Sequence, residues 1–352
     1  MSTRRDFLKT SLLGAAGLTL APGIRAYGGE NVPDERTINT VTGPISLSEA
    51  GLFLPHEHVI HRFGMDSQEP PVYDEKQVYD QVVPYLNYIK SLGVQTIADC
   101  TTAYFGRHVG ILKELSKRTG MNIVTNTGFY GAANDRYVPS SVQSHNPDRI
   151  AEKWIDEYNN GIDGSVKPGF IKTAIDSEGL SEIDKKLVEA AAITSKETGL
   201  TIAVHTSGNI KGAKKQMEIL RHHRVDFGDW IWVHAQNGDK KTIVDAAKKG
   251  AWISVDDLRQ PYYDFKRKEA HNRNTLSRAM SVLLEFKKQG LLNRVILSHD
   301  GTGYSPGGSM NRHLDVLVKS FIPMMQTAGF SDKEIKLLTV ENPARALSIG
   351  KG

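Results

Sequence analysis

Short apolar runs rich in β-branched residues alternate along the chain with longer amphipathic stretches. The runs are almost continuously apolar, which is typical of strands buried on both faces of a parallel sheet. They occupy residues 51–59, 95–102, 122–130, 169–175, 201–206, 230–235, 251–255 and 294–298. Helical periodicity is clearest over residues 74–91, 181–198, 239–248, 275–289 and 313–327. Eight strands alternating with helices predict a (β/α)8 TIM barrel.

The glycines support this alternation. Gly93, Gly120, Gly199 and Gly250 each follow a predicted helix, where a left-handed residue is favoured. A doubly wound open sheet is the alternative, but no glycine-rich phosphate loop follows the first strand. Residues 37–41 and 43–47 predict a short β-hairpin that caps the barrel. The glycine-rich residues 301–309 predict a long flexible loop after the last strand, either a lid or disordered.

The first 26 residues are typical of an export signal. The motif Arg4-Arg5-Asp6-Phe7-Leu8-Lys9 is a twin-arginine signature, and the apolar run that follows is too short to span a bilayer core of about 30 Å. Ile24-Arg25-Ala26 offers a cleavage site, and a retained anchor is the alternative. We expect a signal peptide over 1–26, an extension with the hairpin over 27–50, one barrel domain over 51–352, and a periplasmic or otherwise exported protein.

Composition excludes several classes of protein. Of the formal charge of +4, residues 1–26 supply +3 from four cationic side chains and one anionic, which leaves about +1. No basic tract with interleaved aromatics remains, so a nucleic-acid partner is not expected. Cys100 is the only cysteine, which excludes an internal disulfide and favours a core residue over a nucleophile. We expect no stable membrane span after the signal is removed. The sequence is compatible with a protein that forms homodimers.

Several predicted strands carry a residue that can bind a metal at or near their carboxyl ends. These residues are His56, His58, Lys172, His205, His234 and Asp300. Side chains two apart on a strand share a face, so the first two histidines can chelate one ion while Glu57 points away. That pair alone is equally compatible with two surface histidines. Because carboxyl ends of parallel barrel strands meet at one mouth, the whole series predicts a metal centre there.

Lys172 and Asp300 add chemistry to this series. Lys172 lies in an apolar strand, where a buried ammonium is costly. It either extends to the barrel mouth, pairs with Asp300, or has a depressed pKa and reacts with CO2 to give a carbamate that bridges two metals. Asp300 can bind a metal and accept a proton from the attacking water, with a helix cap as the alternative role.

The ordered series resembles the phosphotriesterase branch of the amidohydrolase superfamily, and the closing motif Glu341-Asn342-Pro343-Ala344-Arg345 is also similar to it. The resemblance implies a barrel with two divalent ions, most often zinc. It implies that His56, His58 and Asp300 bind the more buried ion and that His205 and His234 bind the more exposed one. Carboxylated Lys172 would bridge them. The implied reaction is hydrolysis by a hydroxide shared between the two ions, with Asp300 as the proton acceptor.

The loop residues restrict the class of substrate only weakly, whereas the candidate metal ligands restrict the type of reaction more strongly. Tyr130 stands where organophosphate-degrading members tend to carry tryptophan and resembles the lactonase-type relatives, although an aromatic lid is an equal alternative. The family pattern implies a histidine near Asp257, and the sequence leaves open whether Asp257 replaces it. Asp257 either accepts the proton or is a loop residue, and Arg259 either binds an anionic substrate group or lies on the surface.

We therefore expect hydrolysis of a carboxylic ester or lactone. A phosphotriester or phosphodiester hydrolase with the same site is the alternative. A non-catalytic metal-binding protein is the remaining class, but such a protein needs neither a proton acceptor nor a bridging anion.

Overall fold

The computed structural model describes residues 35–64, 71–264, 268–306 and 313–350, so the predicted signal peptide lies outside the described residues. The strands are β1 (Thr37–Thr40), β2 (Gly43–Ser46), β3 (Leu52–Ile60), β4 (Val94–Asp99), β5 (Asn122–Val124), β6 (Asn126–Thr127), β7 (Phe170–Ala174), β8 (Ile202–His205), β9 (Trp230–Val233), β10 (Trp252–Val255), β11 (Tyr262–Asp264), β12 (Glu269–His271), β13 (Val295–Leu297) and β14 (Gly301–Tyr304). The α-helices are α1 (Glu75–Ser91), α2 (Val109–Thr119), α3 (Ser140–Gln143), α4 (Pro147–Asn160), α5 (Glu182–Thr198), α6 (Ile210–His222), α7 (Lys240–Lys248), α8 (Leu276–Lys288), α9 (Ile322–Thr327), α10 (Asp332–Lys336) and α11 (Asn342–Ala346). Two π-helical segments precede α9 and α11, over Leu317–Phe321 and Leu337–Glu341.

Eight parallel strand positions close into a ring. β3, β4 and β5 pair in order, and β6 continues through β7, β8, β9 and β10 to β13. β14 pairs back with β3 and completes the circuit. Thr125 separates β5 from β6 in the third position, and residues 298–300 separate β13 from β14 in the eighth. The predicted (β/α)8 barrel is confirmed.

The eighth strand corrects the prediction of a loop over residues 301–309. Residues 301–304 form β14 and pair with β3, so that part of the prediction is wrong; residues 307–312 lie outside the described residues. A Cβ atom at Gly303 would lie 2.4 Å from the carbonyl oxygen of Val59. The glycine therefore marks a close approach of two backbones inside a sheet.

The predicted N-terminal hairpin is confirmed and caps one mouth of the barrel. β1 and β2 pair antiparallel, and Thr37 and Ile349 exchange backbone hydrogen bonds of 3.1 and 2.7 Å. Ile38 is fully buried in one apolar cluster with residues near the amino ends of the barrel strands, among them Phe53 and Phe170. The hairpin thus closes the mouth opposite the carboxyl ends of the strands.

The surrounding helices begin and end at the residues that local chemistry favours. Asp74 accepts a hydrogen bond from the Gln77 amide at the start of α1, and Ser181 forms a capping box at the start of α5. Gly120 and Gly199 are left-handed at the ends of α2 and α5, as predicted. Among the described residues, every helix is too short or too polar to cross a membrane.

Candidate metal centre

The six predicted ligands line one cavity of about 710 Å³ at the carboxyl ends of the barrel strands. His56 and His58 come from β3, Lys172 from β7 and His205 from β8. His234 follows β9, and Asp300 lies in the break between β13 and β14. The barrel topology thus brings together residues that are up to 244 positions apart.

The two histidines of β3 face Asp300. Their Nε2 atoms lie 3.6 Å (His56) and 3.2 Å (His58) from Asp300 Oδ1. Glu57 points away, as predicted, and is fully buried. Its carboxylate accepts hydrogen bonds from the Ser298 hydroxyl, the backbone and ring of His299, and the Gly301 amide. Glu57 therefore fills the break in the eighth strand and holds Asp300 at the mouth.

Asp256 orients two of the histidines and was missed by the sequence analysis. Its Oδ2 accepts from His56 Nδ1 at 2.8 Å and its Oδ1 from His234 Nδ1 at 2.6 Å. Both Nδ1 atoms are therefore occupied, which leaves Nε2 as the free ring nitrogen for a metal. Burial alone would raise the pKa of Asp256, but the adjacent histidines hold it far below its usual range. The available signal was its position directly after the apolar strand Trp252–Val255.

His58 is oriented by a different partner. Its Nδ1 lies 2.9 Å from Thr101 Oγ1, and that hydroxyl donates to Asp99. Burial raises the pKa of Asp99 to about 7. His56 and His234 thus share the carboxylate of Asp256, whereas His58 contacts the Thr101 hydroxyl.

The backbone is strained at two of the predicted ligands. His234 and Asp300 have φ values of +57° and +54°. A left-handed conformation costs about 1–2 kcal/mol for a residue with a Cβ atom. Hydrogen bonds offset this cost: the His234 amide donates to Asp256 Oδ1 at 3.1 Å, and the Asp300 amide donates to the His56 carbonyl at 3.1 Å. Strain held in this way at convergent polar residues is typical of functional sites.

Burial sets the charge state of the imidazoles. It lowers the pKa of His58 and lowers that of His205 well below its usual value, which favours the neutral, metal-binding form. The pKa of His234 is raised, because the carboxylate of Asp256 outweighs the effect of burial. The His205 ring lies 4.6 Å from the His234 ring, and the His234 ring lies 5.1 Å from the His56 ring, so His234 stands between His205 and the first of the β3 histidines.

Lys172 is 1% exposed, and its Nζ donates to the Thr173 carbonyl at 3.1 Å. No described carboxylate lies within ion-pair distance of it, so the pairing with Asp300 considered from the sequence is not formed. Burial lowers its pKa and favours the neutral amine. Gly128 has a φ of +131°, and a Cβ atom there would lie 1.9 Å from the Lys172 carbonyl oxygen. Only glycine allows the third strand to approach Lys172 this closely.

Tyr130 lies in the cavity wall. Its ring stacks on Phe105 at 4.7 Å and lies 5.6 Å from the His205 ring. The Lys172 ammonium position is 5.5 Å from its centre. Asp176 and Ser177 contribute polar groups to the cavity lining. The wall therefore combines aromatic and polar surfaces next to the predicted ligands.

Asp257 and Arg259 lie beside Asp300 and do not line the described cavity. They form an ion pair with each other, and Arg259 Nη2 is 3.5 Å from Asp300 Oδ2. Arg273 binds the other oxygen of Asp257 at 2.6 Å. Burial raises the pKa of Asp257, and the two arginines oppose that rise. Arg259 thus contacts both Asp257 and Asp300 and links the two carboxylates.

The donor set fits a divalent metal. Ligand atoms of His56, His234 and Asp300 all lie within 4.8 Å of one another in the described part of the chain. Imidazole nitrogens and a carboxylate oxygen, each ring held by a hydrogen-bonded partner, suit zinc and similar ions. The fold and the cluster place the protein in the class of (β/α)8-barrel proteins with a candidate metal site at the carboxyl-end mouth.

The chain belongs to the phosphotriesterase family, whose sequence profile matches residues 36–347. It is 28% identical to the phosphotriesterase homology protein of Escherichia coli, covering 86% of this chain and 99% of that protein. It is also 28% identical to an aryldialkylphosphatase of Saccharolobus solfataricus, covering 86% and 97%. An N-acetyltaurine hydrolase of Xenopus tropicalis is 23% identical, over 88% and 97%. The chain is thus a hydrolase of this family, and the resemblance inferred from its residues is confirmed.

Solved structures show the same fold. A triple mutant of an organophosphorus hydrolase from Deinococcus radiodurans superposes with a TM-score of 0.76 at 24% identity, covering 88% of this chain and 97% of that one. A second triple mutant of that hydrolase gives a TM-score of 0.77. These likenesses support the barrel architecture independently of the strand pairing.

Proposed function

We propose that this protein hydrolyses carboxylic esters or lactones with two divalent metal ions, most simply zinc. His56, His58 and Asp300 would hold one ion, and His205 and His234 would hold the other. The observation that carries the proposal is the buried Lys172, which has no carboxylate partner among the described residues and shares one cavity with both groups of candidate ligands. The twin-arginine signature further supports cleavage after residue 26 and export to the periplasm.

Lys172 is proposed to be carboxylated. The neutral amine attacks the carbon of CO2, an N–C bond forms, one C–O π pair moves onto oxygen, and the nitrogen releases one proton to the solvent of the cavity that Lys172 lines. The product is an anionic carbamate with two oxygen ligands, and the buried negative charge would be compensated by the bound cations. The lowered pKa of Lys172 supports this step, because only the neutral amine is a nucleophile.

Two bound divalent ions would supply an activated water near neutral pH and polarise the substrate oxygen. The chain's own residues determine the proton path and the orientation of the substrate. Asp300, 3.2 Å from His58 and 3.5 Å from Arg259, is the proposed acceptor of the water proton. Arg259 contacts this carboxylate from the side. Asp257 pairs with Arg259, and Arg273 pairs with Asp257. Asp257 is therefore proposed as a positioning residue.

Tyr130 supports a carboxyl substrate. Its ring lies beside His205 and Lys172, where it can contact an acyl or lactone ring, and Asp176 and Ser177 offer partners for hydroxyl groups. A polar lactone or ester fits this mixture better than an apolar triester. A phosphotriester is the second candidate, because one relative is named an aryldialkylphosphatase.

A side-by-side screen tests the substrate. Sugar lactones, aryl esters and a paraoxon-like triester would be compared by kcat/KM with the zinc-loaded protein. The highest value is expected for a lactone or carboxylic ester. A clear preference for the triester would reverse the ranking, and turnover of none of them would remove the proposal.

Lys172→Ala tests the carbamate through metal content. The wild type should hold about two ions per chain, as two-metal sites do, and the variant should lose one or both. Elemental analysis after gel filtration measures this. Lys319→Ala, at an exposed lysine paired with Asp315, is the control and should keep both ions. Unchanged metal content in Lys172→Ala would remove the carbamate hypothesis.

A further inference from the structure

The two ring nitrogens of His58 meet two different partners. Its Nδ1 lies 2.9 Å from the hydroxyl oxygen of Thr101, which follows β4, and its Nε2 lies 3.2 Å from Asp300 Oδ1. Thr101 is fully buried, and His58 is 8% exposed. A neutral imidazole carries one proton, so that proton is either on Nδ1 beside Thr101 or on Nε2 beside Asp300.

The carboxyl group of Asp99 determines the direction of the Thr101 hydrogen bond. Thr101 Oγ1 donates to Asp99 Oδ1 at 3.2 Å, and the same oxygen accepts the Val59 amide at 2.8 Å. Asp99 Oδ2 has no partner among the described residues, so an acid proton on Asp99 belongs there and Oδ1 stays an acceptor. Because a hydroxyl has a single proton, Thr101 can then only accept from His58. The reverse arrangement would place two acceptor oxygens against each other without a proton between them.

The backbone around Thr101 is fixed by buried side chains. Asn126 Nδ2 donates to the carbonyl oxygens of Asp99 and Thr101, at 2.9 Å each. Arg107 Nη1 donates to the Asn126 carbonyl at 2.6 Å, and the Arg107 guanidinium pairs with Glu157 at 3.2 Å. All of these side chains are buried. The Thr101 hydroxyl is thus held at a defined position by neighbours that are themselves hydrogen-bonded.

We propose that Thr101 is a positioning residue that accepts the Nδ1 proton of His58 and leaves Nε2 free to bind a metal ion. Asp300 attracts a proton to Nε2 from the other side, and the Thr101–Asp99 pair opposes that attraction. Histidine ligands of metal sites commonly have their second ring nitrogen held in this way. Here the partner is a neutral hydroxyl, whereas Asp256 supplies a carboxylate to two of the other rings. The inference rests on the proposed two-metal site.

The metal affinity of the zinc-loaded protein tests this role. Thr101→Val keeps the shape of the side chain and removes the hydroxyl, so the affinity for zinc should fall about tenfold. Competition with a chelator measures the affinity, and Thr101→Ser, which keeps a hydroxyl, should restore most of it. Thr102→Val is the matched control. The Thr102 hydroxyl is also buried but has no partner among the described residues, so this variant should bind zinc like the wild type.

The ring proton provides a second measurement, which a change in packing would not reproduce. In the zinc-loaded, 15N-labelled wild type, His58 should show an Nδ1–H resonance that exchanges slowly with solvent. In Thr101→Val this exchange should be about tenfold faster or more, because the proton has lost its acceptor. Thermal unfolding of each variant identifies a loss of affinity that follows only from a less stable fold.

The outcomes separate this inference from the proposed function. A wild type that binds no zinc would contradict the two-metal proposal, and the role of Thr101 with it. If the wild type binds zinc, three results would overturn the role of Thr101 alone. These are an unchanged affinity in Thr101→Val, an equal loss of affinity in Thr102→Val, and a His58 proton found on Nε2.

Discussion

The two mouths of the barrel are constructed in opposite ways. At the carboxyl ends of the strands, buried polar side chains converge, and most are held by a second polar group, as Asp256 holds His56 and His234. At the amino ends, an apolar hairpin residue, Ile38, fills the centre, and cationic groups lie around the rim. One mouth has backbone strain and buried polar groups, whereas the centre of the other is packed with apolar side chains like an ordinary protein core.

This difference separates chemistry from stability within one fold. Barrel enzymes place reacting groups at the carboxyl ends of strands, so substitutions there change activity more than folding. Substitutions at the amino ends should have the reverse effect. The following three predictions test that division.

The largest effect is expected for Asp300→Asn. An amide cannot accept the proton and binds metals weakly, so kcat/KM should fall by about 10³-fold or more, with little change in Tm. Steady-state kinetics on the best substrate of the screen and thermal unfolding measure the two quantities. Asp229→Asn at the opposite mouth is the control and should keep wild-type activity. Retained turnover in Asp300→Asn would refute its role as proton acceptor.

A smaller effect, on stability alone, is expected for Ile38→Ala. Removing a fully buried side chain from the apolar cluster should lower the free energy of unfolding by about 2–4 kcal/mol. Denaturant titration measures this, and kcat/KM of the folded variant should be unchanged. Ile45, its partner across the hairpin, is only partly buried, so Ile45→Ala should cost less. A large loss of activity in folded Ile38→Ala would break the division between the two mouths.

The smallest effect is expected for Asp256→Asn. The amide keeps the size of the side chain but weakens the hold on two imidazoles, which should reduce metal affinity about 10–100-fold. Competition with a chelator measures that affinity. Asp257→Asn, which alters a carboxylate that contacts Arg259 and Arg273 instead of a histidine, should retain it. Equal affinities in Asp256→Asn and the wild type would show that packing alone orients the rings.

Most of the fold, and the convergence of the candidate ligands on one cavity, could be predicted because they depend on local sequence. Apolar runs mark the buried strands, and their carboxyl ends must converge once the barrel is assumed. The predicted bounds differ from the observed strands by one or two residues in most cases; the third strand is interrupted at Thr125 and ends sooner. The hairpin was equally visible as two short runs on either side of Thr42.

The parts that could not be predicted depend on contacts between distant residues. Gly301 and Gly303 suggested a loop, because glycine favours loops unless another backbone lies against it, as Val59 does here. Asp256 was passed over because its role appears only when β3 and β9 bring His56 and His234 to it. The cavity at the amino ends of the strands likewise brings together Arg36, Arg294 and Arg345, which lie far apart in the sequence and follow no regular spacing.

The contact of Glu57 with Ser298, His299 and Gly301 also constrains how the molecule is made. Each of these partners lies more than 240 residues from Glu57 along the chain. By polymer scaling, the loss of chain entropy on closing that loop costs a free energy of about 5 kcal/mol. Until residue 301 has left the ribosome, Glu57 lacks its partners and His56 lacks Asp300. A nascent chain can form the early helices and strands, but it cannot assemble the complete ligand set. Occupancy of the centre by metal would therefore report that synthesis and ring closure are finished.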